Sequence, residues 1–398
     1  MHRFCKIAGG MFVATFGAAV LAAHAGAPEK TLYTFTNGAD GAYPFAGLTL
    51  DADGNLYGAA SSGGAGGQGT IFRIAPDGTF AVLYSFAGGN DGASPLAAPI
   101  VDSHGNLYGV TENGGGSCNC GTVYKLSRKG KDTVLHAFTG EPDGFDAFAP
   151  LTMDKHKNLY GTTLDGGTFY GTVFEVTAKG SESILYTFGG GNDGDSPYPG
   201  VVPEKHGNLL GSSSFGGTHG FGTVFQLAPG GTKTVLYDFA GSSDAASPSS
   251  TPLRDAHGNI FGLAKFGGGS CNCGAVYELN RKGNEKLIHS FAGGSDGFSP
   301  GYGLTTDASG NLYGVTTEGG TTNCSGYGCG TVFEVTPGGK ETILYAFLGG
   351  SDGSTPYYAP ARDARGNLYG TAEYDGANGY GTVYAIRGKA RVSGRSNK

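Results

Sequence analysis

The chain has 398 residues and a formal charge of −7; 77 residues are glycine, 24 phenylalanine and 22 tyrosine, none is tryptophan, and only 15% are charged. Collagen is excluded because the glycines follow no Gly-X-Y period, and simple disorder is excluded by the aromatic content, so the glycine serves turns. The acidic balance argues against nucleic acid, which requires a basic face, and the missing tryptophan removes the commonest anchor of sugar stacking and interface hot spots.

In chain order, Arg3 and Lys6 precede a small and apolar run from Ile7 to Ala23, and Ala23-His24-Ala25 fits a small-x-small cleavage site. Residues 1–25 therefore read as a secretory signal peptide. A membrane anchor is the alternative, disfavoured because the run is Gly/Ala-rich and shorter than the roughly 20 apolar residues of a spanning helix. Removing the leader takes away Arg3 and Lys6 and no acid, which leaves −9. After Gly26 no segment is long and apolar enough to span a membrane, so the expected location is secreted or periplasmic.

From residue 26 to 387 one unit recurs. Leu-Tyr-x-Phe starts at Leu32, Leu83, Leu135, Leu185, Leu236, Ile288 and Leu344, with His136 and His289 replacing the tyrosine in two copies. Gly-Thr-Val-Phe/Tyr and close variants start at Gly69, Gly121, Gly171, Gly222, Gly274, Gly330 and Gly381. Two motifs held in phase over seven copies define a period near 50 residues. The first full period reads as four short strands, a to d: Gly47–Asp51, Asn55–Ala59, Thr70–Ile74 and Phe80–Phe86. Each is β-branched or aromatic and too short for a helix.

The expected fold is all-β: a seven-bladed β-propeller of four-stranded antiparallel blades. A parallel β-helix is the competing architecture, but its coils are usually shorter and need no Asp-Gly hairpin in every repeat. The chain opens with a d strand, Thr31–Phe35, and finishes with a c strand, Gly381–Arg387. Pairing them closes the ring and removes exposed sheet edges. Residues 388–398 read as a disordered basic tail.

The a–b turns, such as Asp51-Ala-Asp-Gly-Asn55, read as hairpins; as calcium loops they have too few carboxylates. The opposite rim carries the b–c loops and d–a crossovers. Each crossover holds an aspartate (Asp40, Asp91, Asp143, Asp193, Asp244, Asp296, Asp352), with a proline four residues on in six copies. Two readings stand: a ring of carboxylates for cations or polar ligands around the central channel, or a turn cap made by each copy for itself. Tyr170, Phe221 and Tyr380 precede the Gly-Thr of their b–c loops and join the candidate ligand-binding rim.

A catalytic site in a sevenfold ring should break the repeat. His104, His156, His206 and His257 share one a–b turn position, so His219, in a b–c loop, is the irregular histidine and the last candidate rim residue. Nucleophile-elbow, zincin and Walker motifs are absent; no catalytic residue, metal or cofactor is assigned. The cysteines of the mature chain form three local pairs, Cys118/Cys120, Cys271/Cys273 and Cys324/Cys329, an even count that favours disulfides in an exported chain. A redox or soft-metal role for the Cys-x-Cys pairs is the alternative. Gly114–Gly121 recurs as Gly267–Gly274, an offset of 153 residues that fits duplication of a three-blade block.

The phased Leu-Tyr-x-Phe, Asp-Gly-x-x-Pro, Gly-Asn-Leu-Tyr-Gly and Gly-Thr-Val-Phe motifs resemble the GloVer tandem-repeat family of exported bacterial proteins, over about residues 30–387. The resemblance implies an extracytoplasmic, propeller-like repeat protein and brings no catalytic residues. Members often end in an anchoring segment; this chain ends in a polar basic stretch instead. The expected activity is binding or scaffolding of an extracellular glycan, peptide or protein through the b–c and d–a rim, by a monomer. The alternative is a carbohydrate-active hydrolase or lyase using rim carboxylates.

Overall fold

A computed structural model of the protein describes residues 29–388. The expected signal peptide lies outside those residues, as does the expected tail beyond Gly388. The described chain forms seven antiparallel sheets, and no sheet shares a strand with another. Blade one consists of Thr49–Leu50 (a), Leu56–Ala60 (b), Thr70–Ile74 (c) and Phe80–Ser85 (d), and five more blades repeat that order. The seventh takes Ala361–Arg362, Leu368–Ala372 and Thr382–Ile386 from the end of the chain and its d strand, Glu29–Thr34, from the beginning. The protein is thus a seven-bladed β-propeller closed by its two ends.

Strand a is shorter than the sequence pattern suggests. It pairs over two residues in most blades, while in blades five and six an additional short strand, Ala245–Pro248 or Phe298–Pro300, extends the pairing toward the crossover. Packing ahead of strand a in blade one is tight: a Cβ on Gly47 would lie 2.9 Å from Tyr358, which leads into blade seven. That strand a lines the axis follows from contacts between blades that are not neighbours. Phe45, leading into blade one, lies 5.3 Å from Phe148 of blade three, and Phe148 lies 5.4 Å from Tyr302 of blade six.

Every seam between blades is built alike. The d-strand phenylalanine of one blade meets the c-strand ring of the next edge-on, in the pairs Phe35–Phe72, Phe86–Tyr124, Phe138–Phe174, Phe188–Phe225, Phe239–Tyr277, Phe291–Phe333 and Phe347–Tyr384. Centroids are 5.0–5.4 Å apart and all fourteen rings are at most 2% exposed. The glycine of Leu-Tyr-Gly makes room for the c-strand ring: a Cβ on Gly58 would sit 2.4 Å from Phe72, and one on Gly262 2.2 Å from Tyr277.

Phe35 closes the ring with the same pair that joins any two blades. Phe35→Ala is expected to cost about 3–5 kcal/mol, matching Phe86→Ala at an internal seam. Denaturant unfolding measures both, and an inert Phe35→Ala would refute closure through the first strand.

Candidate functional site

The seven crossover aspartates do not gather around the channel. Each accepts the backbone N–H four residues earlier, from Thr36, Ala87, Thr139, Gly189, Ala240, Ala292 or Leu348, at 2.6–2.9 Å. Five also accept the hydroxyl of the d-strand tyrosine of their own repeat, as Tyr84 donates to Asp91 at 2.5 Å. His136 and His289 face Asp143 and Asp296 from the same position. Strand d is the outermost strand of its blade, so these carboxylates sit at the periphery of the rim and cap their own turns.

Across each seam the same aspartate faces the first d-strand residue of the next blade. Burial and the facing aspartate hold the Asp132 carboxyl up to about 6, and Glu285, facing Asp244, up to about 8. Glu341, facing Asp296, is pushed up to about 9 by burial and then by that neighbour. In one seam the partner is Lys233, whose ammonium lies 2.9 Å from Asp193 Oδ1. In another, Tyr33 stacks on Phe80 at 3.6 Å.

The a–b turns are likewise saturated from within. Asp51 Oδ1 accepts the amides of Asp53 and Asn55, while Oδ2 accepts the Asn55 side chain and the Tyr57 hydroxyl. Grooves of about 490 and 950 Å³ open on that rim between blades one and two and between blades four and five, lined by the turn residues themselves.

The cysteine pairs are disulfide-bonded, with Cα atoms 5.2, 5.1 and 5.3 Å apart. Cys120, Cys273 and Cys329 occupy the position that Tyr170, Phe221 and Tyr380 hold in other repeats. A Cβ on the crossover glycine would meet either cover: Cys118 and Cys120 sulfur at Gly140, the Tyr170 ring at Gly190, the Phe221 ring at Gly241. The disulfide replaces an aromatic lid on the next crossover. His219, by contrast, is 54% exposed and 3.7 Å from Asp238.

The residues that converge are ones the repeat motifs do not single out. The position after the crossover proline, or its neighbour, supplies Phe45, Phe148, Tyr198, Tyr302 and Tyr357, a partly exposed aromatic floor at the axis. Around it stand side chains from the end of strand b and from the crossovers: Glu112, Asp146, Asp165, Asp195, Glu318 and Glu373, with Lys265 as a cation. Their mutual influence locates them. Burial raises the Glu112, Asp146 and Asp165 carboxyls, and a neighbouring carboxylate raises each further: Asp146 beside Glu112, Asp165 beside Asp146 and Asp195 beside Asp165. All four carboxylates act on the buried side of Tyr198, while Glu373 and Glu318 act on Tyr357. Burial pushes Glu373 up to about 7, and its Oε2 is buried without a hydrogen-bond partner. Each residue ahead of the crossover proline position has positive φ, from 53° at Ser196 to 57° at Asp146, although none is glycine. Such strain persists only where surrounding structure enforces it. The sequence signal that finds this site is variation: these are the positions at which the seven copies disagree.

The fold and these residues define a repeat propeller with an acidic, aromatic cluster at its axis. The chain belongs to the Gloeobacter/Verrucomicrobia repeat family, whose model matches residues 17–198 and 169–384. No curated protein matches it. Among solved structures it is similar to the extracellular domain of BT4673 from B. thetaiotaomicron, described in one structure as a hybrid two-component system and in another as a one-component system. The TM-scores are 0.60 and 0.59 at 12% and 11% identity, over 92% of this chain in each case. The chain spans 40% of the length of those neighbours, and the likeness shows the fold alone.

Two outcomes follow. Glu285 keeps a proton in the folded chain that the unfolded chain releases above about pH 4.5, so its stability contribution is complete below that value and is lost as pH rises through about 8. The melting temperature should therefore fall between pH 5 and 9 in chelator, and Glu285→Gln should flatten the fall; an unchanged slope would contradict the assignment. Separately, Cys118→Ser with Cys120→Tyr should melt close to the parent, whereas alanine at both positions uncovers Gly140 and melts lower. Equal losses would remove the lid role.

Proposed function

We propose that this protein is an extracytoplasmic binding module that takes a neutral or amino-bearing glycan at the axial mouth of its b–c and d–a rim. The observation that carries this reading is the pairing of the aromatic floor with a wall of six carboxylates. Aromatic faces stack on the C–H faces of sugar rings, carboxylates accept from sugar hydroxyls and attract ammonium groups, and a wall with Lys265 as its cation disfavours uronates and sulfated chains. The rest of the rim supports an interaction face: of ten exposed large apolar side chains among the described residues, all but Val82 and Val235 lie on it, among them Phe215, Phe221, Phe266 and Tyr374. Three disulfides, the leader-like first 25 residues and the extracellular structural neighbours support a location outside the cytoplasm.

Glu373 favours a second reading. A buried carboxyl near neutrality is suited to a general acid for glycosidic cleavage, so the same mouth could cut what it binds.

A glycan array spanning neutral, amino-bearing and anionic chains tests the first reading. Binding of the first two classes, lost at least tenfold in Tyr198→Ala and Tyr357→Ala with unchanged melts, is expected. Preference for anionic chains, or indifference to both substitutions, would overturn it. Incubation of bound glycans with the protein and with Glu373→Gln separates the readings: cleavage that Glu373→Gln abolishes while binding persists establishes the enzyme, and intact glycan leaves the module.

A further inference from the structure

We propose that two equivalent peripheral sites, His136 with Asp143 and Glu182 and His289 with Asp296 and Glu341, each bind a divalent transition-metal cation of the Zn²⁺ type and staple the outer strands of adjacent blades. In each, the histidine comes from strand d of one blade, the aspartate from the crossover that follows, and the glutamate from the first residue of strand d in the next blade. One imidazole nitrogen and two carboxylates bring two negative charges, a donor set suited to a divalent first-row cation.

The geometry fits a cation. His136 Nε2 lies 3.2 and 3.1 Å from the two oxygens of Asp143, and His289 Nε2 lies 3.4 Å from Asp296 Oδ1 and 3.9 Å from Glu341 Oε1. The ligand atoms of each cluster lie within 4.8 Å of one another. Zinc bonds of about 2.0–2.2 Å place neighbouring ligand atoms roughly 3–3.5 Å apart. With the imidazole proton on Nδ1, Nε2 offers its lone pair inward. Asp143 is held for the role by the Thr139 amide at 2.9 Å and the Thr139 hydroxyl at 3.2 Å, the outer contacts that orient a metal ligand.

Unmet valence points the same way. Glu182 Oε1, His289 Nε2 and Glu341 Oε1 are each buried with no hydrogen-bond partner. Buried polar atoms are rarely left so, and a cation at the centre of each cluster satisfies all three. The neighbouring seam shows what the position accepts: there Lys233 takes the place of the glutamate, and its ammonium reaches Asp193. Block duplication accounts for the two copies of the histidine and aspartate. It accounts for the glutamate as well, which follows the histidine by 46 residues in one copy and 52 in the other because the b–c loop of blade six is six residues longer than that of blade three.

The test is direct because the repeat supplies a fold-preserving replacement, tyrosine, which the other five copies carry at this position. Untagged full-length chain, stripped with chelator and titrated calorimetrically with Zn²⁺, should bind two equivalents and melt higher when loaded. His136→Tyr and His289→Tyr should each remove one equivalent, and the double variant both together with the thermal shift, while its melt in chelator stays at the parent value. No stoichiometric binding by the parent chain, or two equivalents retained by the double variant on its surface histidines, would overturn the proposal.

Discussion

The structure depends on one edge-to-face contact, made seven times, between the d-strand phenylalanine of a blade and the c-strand ring of the next. Such a pair contributes about 0.5–1.5 kcal/mol beyond its buried area, and the area itself forms the hydrophobic core, because every buried cluster straddles a seam between two blades. The contact explains two invariant features of the repeat together. Phenylalanine must close Leu-Tyr-x-Phe, and glycine must follow Leu-Tyr in strand b, because the ring packed over that glycine leaves no space for a Cβ.

Once seven such seams close a ring, position in the blade decides what a residue can do. Motif residues are consumed by the seams: the crossover proline packs on the glycine of the preceding Gly-Thr, as Pro95 does on Gly69, and the aspartate is filled by its own turn. Freedom remains at the ends of strand b and beside the proline. Those positions meet on the axis, where residues far apart in the chain, such as Phe45 and Tyr357 at 4.3 Å, become neighbours. The acidic wall is asymmetric for the same reason, with carboxylates from blades two to four on one side and from blades six and seven on the other.

The outer seams carry charge under a different constraint. Each brings the first residue of strand d against an aspartate that already has its hydrogen bonds, so a second carboxylate there must hold a proton, meet a cation or be replaced. The chain uses several solutions: protonation at Glu285, an ammonium at Lys233, aromatic stacking at Phe80, and histidine beside Glu182 and Glu341. A similar economy governs the b–c loops, where a disulfide and an aromatic ring are alternative covers for one crossover glycine.

The sequence by itself determined the blade count, the strand order, the closure and the pairing of the cysteines, because each is a local pattern written in every copy: period, turn residues, alternating rings and short cysteine spacings. It also named the crossover aspartates, whose neighbours within seven residues suffice to bind them. Only the tertiary structure decided that these aspartates lie at the periphery, that Phe45, Phe148, Tyr198, Tyr302 and Tyr357 share one floor, and that His136 meets Glu182 across a seam. Those relations join different copies of the repeat, and ring closure is what sets the distances between copies.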